Sequence, residues 1–418
     1  KDMLDLAGAG LDPRPEMRRP GLAEMQRIRA MALDYLARLL QEVVGPTGRV
    51  LVVDGAYESL QAAVDEAGGI GRIRLLLGSA MSASFPELLR VFRIFSGHGV
   101  PCVGGGIHLT ARPGDLDRYL RPFLPAAAAQ VAAVAGPCDL RIMREIVGDA
   151  RGGTLRAGYS GGQNMEPDYW RRLPWLARGQ HHMRCLEVSR GCPHSCSFCS
   201  ISVVPREQRR LQVREIEDVL TEVRDTWKAD APGQRRMRYF VAENIGAQKA
   251  LFTDLLEHMI RECPDINFVA QADALVAMDE PFLKLLRRAG CVNLLIGFES
   301  LHEASLEAIG KRSAFALRRR TGLPTVPEAY SEAIRRIHDQ GITVMGAFIL
   351  GLPHDKPGSG RELGDYMARH RLLPHPTALT ALPGAEMFES SYRGQLLYGH
   401  PDDRPASAGP YPAAFSGM

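Results

Sequence analysis

From Met183 onward the chain alternates short apolar runs with amphipathic stretches six times over, and that rhythm leaves few folds open. Strands are expected at Met183–Ser189, Met237–Ala242, Ile266–Gln271, Val292–Phe298, Thr343–Leu350 and Thr377–Ala381. Apolar residues recur at helical spacing in Arg214–Thr226, Lys249–Arg261, Pro281–Ala289, Pro327–Gln340 and Gly360–His370. Strands that alternate with helices pair in parallel, because each crossover helix returns the chain to the same end of the sheet. Six such units suit a partial (β/α)6 barrel, TIM-like in build, whose functional groups gather at the carboxyl ends of the strands.

The first half also alternates. Asp2–Ala9, Val50–Asp54, Ile73–Gly78 and Val100–Val103 read as strands, with helices over Leu22–Val43, Tyr57–Ala67 and Phe85–Phe95. This α/β pattern implies a Rossmann-like, doubly wound parallel sheet. Residues 151–182 hold two Gly-Gly pairs, several Pro and Trp and no periodicity, and read as a linker. The expected division is residues 1–150, the linker 151–182, the barrel 183–390, and a tail or the start of a further domain over 391–418.

The first barrel strand runs into Arg190-Gly191-Cys192-Pro193-His194-Ser195-Cys196-Ser197-Phe198-Cys199, a Cys-x3-Cys-x2-Cys pattern. Three thiolates from one loop can hold three irons of a 4Fe–4S cluster, leaving the fourth open to a small molecule. The alternatives are a structural zinc site, for which His194 is the available fourth ligand, or unrelated cysteines. Zinc sites favour four ligands in paired spacing, which this run lacks. Cys102, Cys138, Cys185, Cys263 and Cys291 are scattered singly and do not form a disulfide framework.

The cysteine run and its setting resemble the radical S-adenosylmethionine (SAM) enzymes. The resemblance implies a 4Fe–4S cluster on Cys192, Cys196 and Cys199, whose open iron chelates the amine and carboxylate of SAM. It also implies SAM-binding roles for Phe198 near the adenine, for Glu243 on the ammonium, and for Glu299 and Ser300 on the ribose or carboxylate. Lys311 and Arg312 are placed to neutralise a carboxylate, and Gly346–Pro353 to lie beside the adenine. Each of these also has a plainer reading, as barrel rim or buried strand.

Leu77-Gly78-Ser79-Ala80-Met81 and Cys102-Val103-Gly104-Gly105-Gly106-Ile107-His108 extend the resemblance to radical SAM enzymes with an N-terminal cobalamin-binding domain. Ser79, Met81, Gly104, Gly105, Gly106 and His108 are the implied cobalamin-binding residues. A buried base wants a hydroxyl partner and a backbone bare enough for close approach. The loop Leu11–Pro20 departs from the family pattern: it has no histidine to ligate cobalt from below, and offers Arg14, Arg18 and Arg19 instead.

A net charge of +3 without a long basic run gives no case for nucleic acid as partner. There is no run of 18 apolar residues and no signal-peptide pattern, so a cytoplasmic location is expected. The resemblance implies a cobalamin-dependent radical SAM methyltransferase (transferase), taking a methyl group from SAM via cobalamin to a carbon of a small molecule or peptide. Tryptophan in natural-product biosynthesis is one candidate acceptor, and Tyr169, Trp170 and Trp175 are aromatics that could stack on a planar substrate. An external reductant of flavodoxin or ferredoxin type is the implied partner. The alternatives are a non-methylating radical SAM enzyme using a 5′-deoxyadenosyl radical, and a non-catalytic metal scaffold.

Overall fold

The computed structural model describes residues 31–53, 59–81, 84–120, 130–161, 183–199, 201, 212–228, 237–380 and 382–389. The chain divides into two compact units, Lys1–His181 with Ala381–Met418, and His182–Thr380.

The first unit holds four parallel strands in the order β1 (Leu76–Ser79), β2 (Cys102–Gly105), β3 (Val131–Ala135), β4 (Gly158–Ser160). Its helices are α1 (Met31–Val44), α2 (Leu60–Glu66), α3 (Phe85–Gly97), α4 (Ile107–Ala111), α5 (Gly114–Leu120) and α6 (Leu140–Gly152). Strand alternation sends Cys102 and Ala133 to one face and Val103, Ala132 and Val134 to the other. The first face meets α3, whose Phe85, Leu89, Phe92 and Phe95 recur in steps of three and four residues. The second meets Ile142 and Ile146 of α6, and Leu39 of α1 packs onto Met143 and Val147. Helices cover both faces, as a Rossmann-like sheet requires.

Two expectations change here. The stretch expected as a strand at Val50–Asp54 is irregular over its described residues 50–53, because an apolar run alone does not supply a ladder partner. Within the expected linker, Gly158–Ser160 pairs in parallel with β3 and forms the edge strand β4. Three residues with one apolar position are too short to show a period. Asp2–Ala9, the arginine-bearing loop and the aromatics at 169, 170 and 175 lie outside the described residues.

The second unit is a six-stranded parallel sheet, β5 (Met183–Glu187), β8 (Met237–Val241), β9 (Asn267–Ala272), β10 (Cys291–Glu299), β11 (Thr343–Leu350) and β12 (Leu373–Ala378), paired in chain order. Among the described residues β5 and β12 are its edges, so the barrel is open there. A separate two-stranded ladder joins β6 (Ser189–Arg190) to β7 (Gln212–Val213). The crossovers are α7 (Ile216–Lys228), α8 (Lys249–Glu262), α9 (Glu280–Arg288), then α10 (Glu303–Ala308), α11 (Arg312–Thr321) and α12 (Val326–Asp339), then α13 (Ser359–Arg369).

Register puts Gln271, Leu295 and Met345 side by side on one face, with Tyr239 beside Val269. The opposite face is aromatic and fully buried. Phe240 meets Phe268 at 4.6 Å between ring centres, and Phe298 meets Tyr330 of α12 at 4.7 Å and Phe348 at 5.4 Å. The last strand begins earlier than expected and contains Pro374 and Pro376. Proline lacks a donor, but an edge strand has one unpaired side and tolerates it.

Gly290 turns the chain from α9 into β10 at φ +100°, and a Cβ there would stand 1.8 Å from the Ile266 carbonyl oxygen. Gly290→Ala is therefore expected to destabilise this unit by about 2 kcal/mol or more. A urea transition followed by circular dichroism would show the loss as a lower midpoint.

Candidate active site at the cysteine loop

β5 ends at Glu187, and the chain then enters the β6–β7 ladder, Ser189 opposite Val213 and Arg190 opposite Gln212. This ladder ties the base of the excursion that carries the cysteines. Arg190 grips the Glu187 carboxylate with two nitrogens, at 2.5 and 3.0 Å. Arg214 donates to the Glu187 carbonyl and to Glu222, both at 2.8 Å. Inside the excursion the Cys199 N–H donates to the Cys196 carbonyl, and the Ser197 N–H donates to the Ile309 carbonyl, each at 3.1 Å. The second bond docks the loop on the turn between α10 and α11.

Cys192, Cys196 and Cys199 are free thiols, each partly buried. Burial pushes Cys196 up to about 11 and raises Cys192 and Cys199, while the Lys311 ammonium pulls all three the other way. Cys196 feels both of the other thiols, and Cys199 feels Cys192. Thiols held in this way become thiolates when a metal centre displaces their protons. Among the described residues no three His, Cys, Asp or Glu side chains converge as a single ion would need. A cube of iron and sulfide instead asks for thiols spread around it. His194, the fourth ligand that the zinc alternative would need, has Nε2 2.9 Å from Asp273 Oδ2.

Glu243 lies two residues past β8, and its Oε2 is buried with no hydrogen-bond partner among the described residues. Burial raises its pKa and the nearby Glu187 carboxylate adds to this, while its own N–H and that of Gly191 act against it. Gly191 opens the cysteine loop, so this carboxylate sits against the loop with one oxygen unused. A ligand ammonium group would satisfy that oxygen.

Glu299 ends β10 just past a register shift and adopts φ +68°, a strained conformation outside glycine. Its Oε1 accepts from Lys311 Nζ at 2.8 Å, and both side chains are about nine-tenths buried. The pair lies over Gly297, where a Cβ would stand 2.5 Å from Glu299 Oε1 and 3.1 Å from Lys311 Nζ. A side chain at 297 would therefore push the ends of the ion pair aside. Tyr330 Oη donates to the Phe298 carbonyl at 2.9 Å beside the shift. Ser300 shapes the turn that follows, its Oγ accepting from the His302 N–H at 3.0 Å. Phe198 is half-buried, and Arg312 is exposed at the start of α11. In the Gly346–Pro353 stretch, Gly346 is explained by packing, since a Cβ would stand 2.9 Å from the Phe348 ring.

The structure adds a group that the sequence reading passed over. Asp273, one residue past β9, receives His194 and also Asn244 Nδ2 at 2.9 Å. Burial works to raise the Asp273 pKa, but the hydrogen bonds from His194 and Asn244 outweigh it and hold the group low. The available signal was strand alternation: Asp273 continues the face of Gln271.

In the first unit, Ser79 ends β1 and Met81 beyond it is 63% exposed. The three glycines after β2 differ in cause. Gly104 makes room for Leu109 and Phe92, with a Cβ standing 2.8 and 3.2 Å from them. Gly106 has φ +99° and lies where a Cβ would stand 2.4 Å from the Ala80 carbonyl oxygen. Gly105 is bare without any such need, its nearest neighbour being Val134 at 3.9 Å. That open cradle at a strand end fits the close approach of a ligand tail. His108 does not belong with it: the ring is buried, stacks on Phe85 at 3.9 Å and meets Asp115 at 3.2 Å. Its place is the core beneath α3.

Residues 186–363 match the model of the Radical SAM superfamily, and the chain carries a radical SAM domain there, from β5 through the cysteine loop to α13. The chain is 29% identical over 204 residues to the bacteriochlorophyllide d C-12(1)-methyltransferase of Chlorobaculum tepidum, covering 48% of this chain and 41% of that protein. It is 25% identical over 331 residues to the bacteriochlorophyllide d C-8(2)-methyltransferase of the same organism, covering 74% and 67%. The chain thus spans about two fifths of one curated relative and two thirds of the other. Its fold is similar to that of the radical S-adenosylmethionine methyltransferase TsrM from Kitasatospora setae, solved with cobalamin and a 4Fe–4S cluster. That likeness has a TM-score of 0.60 at 18% identity, over 87% of this chain and 74% of the other.

The unused oxygen of Glu243 has a consequence for stability. A carboxyl group with a raised folded pKa costs nothing below its ordinary value of 4.5, where both states are protonated. Above the raised value the folded state carries the full cost. Glu243→Gln is expected to raise the melting temperature of the metal-free protein near neutral pH, with the gain vanishing below about pH 4.

Proposed function

We propose that the chain is the catalytic part of a cobalamin-dependent radical SAM methyltransferase. The observation that carries the reading is the pairing of a three-thiol loop with a buried, unpartnered carboxylate oxygen beside it. Cys192, Cys196 and Cys199 would hold a 4Fe–4S cluster, and Glu243 would receive the SAM ammonium group. Lys311, fixed by Glu299, supplies positive charge beside the thiolates. Ser79, Met81 and Gly105 would line the entry of the cobalamin tail into the first sheet. When bound, the cluster supplies an electron and an open coordination position, and cobalamin supplies a methyl carrier.

The overall change is transfer of the SAM methyl group to an acceptor carbon, with loss of one proton from the acceptor and release of S-adenosylhomocysteine. The names of the two curated relatives support the methyl transfer. The acceptor is proposed to be a small molecule or peptide, with tryptophan one member of that class. The reading also carries an external one-electron reductant and a cytoplasmic setting. No helix among the described residues is long and apolar enough to cross a membrane.

Anaerobic reconstitution with iron, sulfide and cobalamin should give a protein that keeps both cluster absorbance and corrinoid after desalting. Changing any one of Cys192, Cys196 and Cys199 to Ser should abolish the cluster absorbance. With SAM deuterated at its methyl group, label should appear in the acceptor, tryptophan being the first tried. A protein that retains neither cluster nor corrinoid would overturn the proposal. Formation of 5′-deoxyadenosine with no label transfer to any acceptor would move it to the non-methylating radical enzymes.

A further inference from the structure

His194 stands between the first two cysteines, and its ring is committed elsewhere, with Nε2 2.9 Å from Asp273 Oδ2. Asp273 is itself built in. Asn244 Nδ2 donates to the same oxygen at 2.9 Å, and the Leu275 N–H donates to the other at 3.0 Å. The Asp273 N–H donates to Asn244 Oδ1 at 3.3 Å, and Gly246 donates to that same oxygen at 3.1 Å. Asn244 is 2% exposed and Asp273 9%. One network therefore joins the cysteine loop to the ends of β8 and β9. With a carboxylate as its partner, Nε2 is the donor and carries the ring proton.

The same residue touches the cysteine chemistry through its main chain. Pro193 has no N–H, so the first backbone donor after Cys192 is that of His194. Burial raises the Cys192 thiol pKa, and the His194 N–H, directed at its sulfur, works to lower it. Pro193 also fixes its own φ, which leaves the torsions of His194 as the ones an anchored side chain restrains. Hydrogen bonds to the sulfurs are among the features that set the reduction potential of an iron–sulfur cluster. Such a bond favours the more negative, reduced state and so raises the potential.

We infer that His194 is a positioning residue: its latch to Asp273 keeps the backbone N–H on the Cys192 sulfur and thereby holds up the cluster's reduction potential. This rests on the reading of the loop as a cluster site. The ring contacts neither substrate nor cofactor in this role. A network that merely stapled strand ends together would affect stability and leave the potential alone.

The test compares the whole wild-type chain with His194→Phe, His194→Gln and His194→Asn. Each is reconstituted anaerobically with iron and sulfide, without SAM. The readouts are iron content, the electron paramagnetic resonance spectrum of the reduced cluster, its midpoint potential by redox titration, and thermal melting. Gln places an N–H where Nε2 stands, whereas Asn falls short of Asp273 and Phe has no donor. The Phe and Asn variants should titrate at more negative potential with altered spectra, and the Gln variant close to wild type. If the Phe variant does not fold, the Asn and Gln pair decides the matter. Wild-type potentials and spectra in all variants would overturn the latch and leave the functional reading standing. A wild-type chain that takes up no cluster would overturn that reading and the latch with it.

Discussion

Parallel pairing carried without a break across β5, β8, β9, β10 and β11 decides which side chains can meet at the carboxyl rim. In such a sheet every strand ends at the same edge, so the residues just beyond each strand become neighbours although they are far apart in sequence. Gly191 and the cysteines follow β5, Glu243 and Asn244 follow β8, and Asp273 follows β9. Glu299 closes β10. A one-residue slip in any strand would turn these groups to the helix-covered face. The aromatic layer formed by Phe240, Phe268, Phe298 and Phe348 opposes such a slip, since a slip would carry those rings to the other face. The register of the core thus holds the geometry of the rim.

The rim contains polar arrangements that a stability-driven sequence would avoid. A buried ion pair is weak evidence for stability, because desolvation of both charges offsets their attraction. The Glu299–Lys311 pair lies against Gly297, and the glutamate holds a positive φ. Glu243 keeps an unsatisfied oxygen out of solvent, and burial raises the cost of its charge. Positive φ and unmet buried groups occur elsewhere among the described residues, but here both lie beside the three-cysteine loop, which supports reading the rim as the site.

Much of the barrel was legible because its strands are apolar runs bounded by polar or glycine residues, and strand alternation with helices leaves one architecture. The cysteine spacing is a local pattern, whereas Glu243 was reached through the family resemblance. What escaped notice did so for nameable reasons. β4 is too short to carry a period, and β12 hides its extent behind two prolines that an edge position permits. α10 and α11 insert between β10 and β11 and supply Lys311, whose partner lies twelve residues earlier. His108 was implied as a cobalamin-binding residue by the resemblance of the stretch around it, yet Phe85 and Asp115 enclose it. The role of Asp273 depends on a hydrogen bond spanning 79 residues, which no local pattern records.

The cysteine loop is supported from three directions, and the supports differ in kind. The β6–β7 ladder holds its base through the backbone. The turn between α10 and α11 receives the Ser197 N–H and brings Lys311 in with it. Asp273 takes the ring of His194 from beyond β9. A loop held only at its base could close its thiols around one ion or spread them. Anchors on two further sides restrain both movements, and the loop's thiols are then set by the barrel rather than by their mutual contacts. Positive charge from Lys311 and the unused oxygen of Glu243 are both set beside it. The loop is thus more than a binding sequence attached to a barrel strand, since its side chains and its backbone donors are positioned by separate parts of the rim.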